Sequence, residues 1–171
     1  MSDLLSIYNQ LQAKRWVDLT HKINAESPHF PALPALKQED LFTLKDGFHV
    51  QKFTVVGQYG THIDAPIHFV EGGRWLDEIA LKDLLLPLYV IDKSKEVAAS
   101  PNFVLSKQDI LDFEAEHGLV NEYYLLEQNI YQVEVLNQLD QVPAVGALIS
   151  IAFPHWDKAT GSPVRAVAIL P

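Results

Sequence analysis

The chain has 171 residues, 48% of them apolar and 20% charged, which is the composition of a folded globular protein with the length of one domain. Thirteen basic against twenty-two acidic side chains give a formal charge of −9, the wrong sign for holding nucleic-acid phosphates, and the absence of cysteine excludes disulfides, thiol nucleophiles and thiolate metal sites. No apolar run reaches the length of a membrane span, and the start MSDLLSIYNQLQAKRW lacks the basic-then-apolar order of a secretory signal, so the expected compartment is the cytoplasm.

Leu4, Leu5, Tyr8, Leu11 and Trp16 fall near a 3.6-residue period behind Ser2 or Asp3, which predicts a short amphipathic helix over Leu4 to Trp16. Val17 to Ile23 alternates and reads as extended chain. Pro28, Pro31 and Pro34 then forbid a regular ladder and hold a stiff loop, as in a lid or wall. Leu41 to Val56 reads as two strands turned at Asp46-Gly47. After the Glu71-Gly72-Gly73 loop, Leu76 to Leu84 has a short helical pattern, and LLLPLYVI from Leu84 to Ile91 reads as a strand buried on both faces, with Pro87 as a blemish. Ser106 followed by Asp109, apolar Ile110, Leu111 and Phe113, and a closing Gly118 predict a helix. Leu125 to Leu139 fits a helical turn and then a strand through Tyr131, Val133 and Val135, while Ala147 to Phe153 and Val164 to Leu170 fit a terminal hairpin. The expected class is α/β, in a single domain over residues 1–171 and without internal repeats.

The densest polar cluster is QYGTHIDAPIH, from Gln58 to His68. Alternate side chains of an extended chain share a face, so Gln58, His62, Asp64 and His68 can point into one pocket, subject to the bend at Pro66. Imidazole, carboxylate and amide oxygen form a ligand set for Zn(II), Mn(II) or Fe(II), and a bridging Asp64 would admit two ions. From spacing alone, a hydrogen-bonded strand end remains an equal alternative.

GTHIDAPIHF resembles the H-x-G-T-H-x-D-x-P-x-H signature of the cyclase-type metal-dependent hydrolases, a family that includes bacterial kynurenine formamidase and isatin hydrolase. DLTHKI, FPALPAL, GRWLDEI, LLLPLYVIDKS, ILDFEAEHG and GSPVRAVAIL extend the likeness over nearly the whole chain. The resemblance implies a swivelling β/β/α domain assembling as a homodimer or homotetramer, and hydrolysis of a formamide, lactam or related amide by metal-activated water. It puts His62 and Asp64 on metal-ligand positions, Gln58 where the first motif histidine stands, His68 on the proton donor and acceptor, and Phe30 on an aromatic that walls the substrate ring. Glu134 falls on a later glutamate ligand, and Glu122 stands where a histidine is usual, a replacement that favours Mn(II) or Mg(II) over zinc. Family chains carry tens of further residues between the EAEHG helix and this segment, so the chain resembles a member with an internal deletion, which would expose sheet edges and apolar faces.

The remaining candidates have structural explanations. His21 at a strand end reads as a hydrogen-bonding residue, His29 and His49 as surface, and His117 as a helix cap. His155 has no chemistry assigned, Arg74 and Trp75 read as packing, and Ser150 and Ser162 lack a nucleophile elbow. The expected function is a hydrolase of an N-formylkynurenine-type or isatin-type substrate, with Mn or Zn as cofactor and neither nucleic acid nor membrane as partner. The alternative is a catalytically impaired, truncated paralogue that serves as a binding or oligomer subunit.

Overall fold

The computed structural model describes residues 3–100, 102–117 and 130–171. In chain order its elements are helix α1 (Leu4–Gln12), strands β1 (Trp16–Asp18), β2 (Lys37–Phe42), β3 (Val50–Thr54), β4 (His62–Asp64) and β5 (Leu85–Leu88), helices α2 (Ser94–Ala99) and α3 (Lys107–His117), and strands β6 (Gln132–Glu134), β7 (Ala147–Ala152), β8 (Gly161–Pro163) and β9 (Arg165–Ile169). Among the described residues a four-stranded sheet runs β1-β9-β7-β5, a three-stranded sheet runs β6-β4-β8, and β2 pairs with β3 alone. Every pairing is antiparallel.

The core lies where the two larger sheets meet. Ala147, Ile149 and Ile151 alternate inward along β7, Ala166 and Ala168 along β9, and they pack with Val17, Leu19, Ile63, Leu76 and Val142. β8 and β9 are separated by Val164 alone, so one stretch of chain leaves the small sheet and enters the large one without a loop. Val164 is buried, and its amide donates to the Thr61 carbonyl at 2.9 Å. The small sheet is thereby fixed to the core through the strand that carries His62.

The two terminal strands pair antiparallel as the alternation predicts, from Leu148↔Ile169 to Ala152↔Arg165, but their connection is not a simple turn, since it contributes β8 to the small sheet. The α3 start also follows the sequence: the Ser106 amide donates to Asp109 Oδ2 at 2.8 Å, and the Asp109 amide donates back to Ser106 Oγ at 3.2 Å. Helix α1 starts at an Asp3 cap but stops at Gln12, because Trp16 is already in β1, and no residue of the helix is buried. Within Val17 to Ile23, only Val17 and Asp18 pair as a strand.

Three further expectations change. The Leu41 to Val56 hairpin begins at Lys37, and its connection is a single helical turn, Leu44–Asp46, capped by Gly47 at φ 92°. That left-handed conformation is what selects glycine there. Leu76 to Leu84 is not one helix but two single turns, Leu76–Glu78 and Leu81–Leu84. The expected strand buried on both faces is an edge strand, with Leu85 51% exposed, and an edge tolerates Pro87 because no neighbour needs its missing N–H. Helix α2 was not legible beforehand. Ser2, Gly118, Glu122 and the first part of the Leu125 to Leu139 segment lie outside the described residues, as does the His117 side chain.

Candidate metal centre

β4 is the central strand of the small sheet, and its three residues divide by alternation. Ile63 goes wholly into the core, while His62 and Asp64 share the opposite face and remain 6% and 3% exposed. Glu134 lies directly opposite His62 on β6, and Gly161 directly opposite Asp64 on β8. Opposed residues present their side chains to the same face, so the register brings Glu134 to the pair.

His62 Nδ1 lies 2.8 Å from the Gly60 carbonyl, which only accepts, so in the neutral ring the proton sits on Nδ1. Nε2 keeps its lone pair and faces Asp64 Oδ2 at 3.5 Å and Glu134 Oε2 at 3.8 Å. One donor atom from each of the three residues lies within 4.8 Å of the other two. Among the described residues Asp64 Oδ1 is buried without a hydrogen-bond partner, a costly state for a carboxylate oxygen unless a cation satisfies it. A nitrogen and two carboxylates fit a divalent ion such as zinc or manganese.

Burial works against the charged form of His62, but Asp64, the Gly60 carbonyl and Glu134 outweigh it and hold the pKa above the ordinary imidazole value. Burial also works against the Asp64 anion, and His62, Gln58 and His68 together outweigh it and hold this carboxyl below its usual range. The site therefore concentrates negative charge around one imidazole.

Gln58 is half-buried beside this group, with Nε2 3.4 Å from Thr160 Oγ1, and its side chain helps to hold Asp64 ionised. His68 ends the single turn Pro66–His68, is exposed, and lies close enough for its charge to act on Asp64. Phe30 is 67% exposed on the proline-rich loop. That loop is fastened by Tyr59, which is fully buried: its hydroxyl accepts the Leu36 amide at 3.1 Å and faces the carbonyls of Asn24 and Ala25 at 3.0 and 3.1 Å. His29, expected at the surface, is instead half-buried and stacked on Tyr59 at 4.6 Å, since the two residues form a β-bridge.

His21 gives its backbone amide to Thr61 Oγ1 at 3.0 Å, and the residue lines a cleft with Asp18, Lys22 and Arg165 that none of the three clustered residues lines. Ser162 Oγ accepts the Trp156 indole N–H and donates to the Pro163 carbonyl, both at 3.0 Å, so its hydroxyl is committed to structure. His49 is exposed and paired with Asp40 at 2.9 Å, and Arg74 lines a cavity with Tyr131 and Ile151.

Two contributors at the site were not read from the sequence. Thr61 Oγ1 donates to the Val135 carbonyl at 2.8 Å, clamping the residue after Glu134, and Val135 holds a left-handed φ of 55°. Gly161 is the second, facing Asp64 from β8. A β-branched residue at positive φ has no sequence signature, and the pairing of Gly161 with Asp64 depends on a register that spacing cannot show.

Residues 17–127 match the cyclase family, described as putative cyclase. Isatin hydrolase of Roseibium aggregatum is 26% identical over 200 aligned positions, covering 72% of this chain and 76% of that protein. Kynurenine formamidase of Bacillus cereus is 24% identical over 126 positions, covering 66% of this chain and 57% of its own length. The first alignment has more positions than the 171 residues of this chain, so that relative carries residues without a counterpart here. Among solved structures, isatin hydrolase A from Labrenzia aggregata bound to benzyl benzoate superposes with a TM-score of 0.84 at 23% identity, covering 99% of each chain. An isatin hydrolase bound to the product analogue thioisatinate superposes at 0.87 with 21% identity, covering 100% of each chain. The expected α/β fold is the fold these structures share.

Proposed function

This chain belongs to the cyclase family, and from that premise we propose that it is a metal-dependent hydrolase of an amide, formamide or lactam bond in a small aromatic substrate, of the N-formylkynurenine or isatin type. The observation that carries the reading is the convergence of His62, Asp64 and Glu134, together with a buried Asp64 oxygen that has no hydrogen-bond partner among the described residues. These three residues hold the ion, manganese or zinc. A divalent cation bound there supplies Lewis acidity, polarising a carbonyl and lowering the pKa of water.

The protein's own side chains do the remaining work. His62, with Nδ1 engaged by Gly60, presents Nε2 in a fixed direction. His68, exposed yet near Asp64, hands a proton to the departing nitrogen and exchanges it with solvent. Phe30 offers an aromatic wall for the substrate ring, on a loop stiffened by its prolines and fastened by Tyr59. The exposed apolar side chains of α1 and of β2–β3 support assembly as a homodimer or homotetramer.

A second reading, a binding or oligomer subunit without turnover, is favoured by the residues present in the isatin hydrolase alignment and missing here. Elemental mass spectrometry of the purified chain, combined with assays on N-formylkynurenine and isatin, separates the two. On the hydrolase reading, His62→Ala loses the metal, whereas His68→Ala keeps it and lowers kcat about 10²- to 10⁴-fold. A fully metal-loaded wild-type chain with no turnover of either substrate would leave the subunit reading standing.

A further inference from the structure

Position 161 faces the clustered imidazole and carboxylates, because Gly161 is paired directly with Asp64 across β4 and β8. It brings no side chain to that face, and the space is filled. A Cβ built on Gly161 lies 2.2 Å from Gln58 Nε2, 2.9 Å from Gln58 Cδ and 2.9 Å from the Ile63 carbonyl oxygen. The Gln58 carboxamide thus occupies the volume that any other residue at 161 would take. There Nε2 lies 3.4 Å from Thr160 Oγ1, over the glycine that faces Asp64 in the register, and the amide helps to hold the Asp64 carboxylate ionised. A carboxylate only accepts hydrogen bonds, so the NH2 end of the amide is the end that serves it. The amide oxygen, with which glutamine would ligate a hard cation, is not the atom committed to this contact.

We propose that Gln58 and Gly161 act together to aim Asp64: the missing side chain of Gly161 seats the Gln58 carboxamide, which donates to the Asp64 carboxylate and fixes the oxygen turned toward the metal. Gln58 is then a positioning residue outside the coordination sphere, and Gly161 is required because any larger residue evicts it. This inference rests on the metal centre described under the proposed function. It places a hydrogen-bond donor where the family signature has an imidazole.

Cobalt(II) titration of the full chain, followed through the visible absorption of the bound ion, tests it without reference to turnover. Gln58→Ala is expected to bind cobalt about 10- to 100-fold more weakly, the usual effect of losing a partner that orients a ligand, with the band positions unchanged. Gly161→Ala should weaken binding to a similar extent. The double variant should be no weaker than Gly161→Ala alone, because that replacement, which also presses on the Ile63 carbonyl, has already displaced Gln58. A shifted cobalt spectrum in Gln58→Ala, which reports a lost ligand, overturns the proposal, as does additive weakening in the double variant. Circular dichroism checks folding, and if Gly161→Ala does not fold, the affinity and spectrum of Gln58→Ala decide alone. A wild-type chain that takes up no cobalt, while His62→Ala behaves identically, overturns the metal centre itself.

Discussion

The hydroxyl of Tyr131 donates to the Asp83 carbonyl from a half-buried position, and burial, with the nearby Asp83 charge, pushes its pKa up to about 12. An unfolded tyrosine ionises near ~10, so the folded chain holds this proton more tightly. The resulting contribution to stability is complete below the unfolded value and is lost as pH rises through about 12. Circular dichroism across that alkaline range should show stability falling in the wild type, and a shallower fall in Tyr131→Phe; identical profiles would remove Tyr131 from the account. At the scale of single residues, the sequence was most informative where neighbours in space are neighbours in the chain. Strand alternation sufficed to put His62 and Asp64 on one face. Alternation could not reach Thr61 against Val135, or Gly161 against Gln58, because each contact joins distant segments through strand register.

Tyr59 links two elements that the sequence suggested separately, the proline-rich loop and the strand region carrying the polar cluster. Replacing it with phenylalanine removes a hydroxyl that serves the Leu36 amide and faces the carbonyls of Asn24 and Ala25. The expected loss is about 1–3 kcal/mol by denaturant unfolding, with faster amide exchange between residues 24 and 36. A loss spread over the whole chain, leaving this loop no more labile than the rest, would mean that Tyr59 supports the core and not the loop. Elements were legible where pattern and environment agree, as in β7, β9 and the start of α3. The Leu84 to Ile91 run misled because a continuous apolar stretch also describes an uncovered edge, and Pro87 was the better guide.

For the whole molecule, the β2–β3 hairpin raises the largest question. Both strands are exposed along their full lengths, and Leu41, Phe42, Leu44, Phe48, Val50 and Phe53 all present apolar surface. A two-stranded hairpin with neither face covered by the described residues is marginal by itself, and an apolar patch of this extent commonly marks an interface. Light scattering is expected to find a dimer or tetramer, and Phe53→Asp to shift it toward monomer. A wild-type chain that is monomeric at micromolar concentration would assign the hairpin another role. The class of fold was legible from segments spread along the chain, whereas the exposure of this arm was not, since an alternating strand pattern does not say which molecule covers it.

Val135 stands immediately after Glu134 in a left-handed conformation that β-branched residues avoid, at a cost of about 1–2 kcal/mol, and Thr61 clamps its carbonyl. Glycine there would relax the backbone, yet it would also loosen the segment that delivers Glu134 to the site. Heat endurance and the geometry of the His62, Asp64 and Glu134 cluster therefore pull this position in opposite directions. A directed-evolution campaign that ranks variants by melting temperature alone would enrich the replacement that slackens the acid's delivery, so position 135 is one to hold fixed while the rest of the chain is improved.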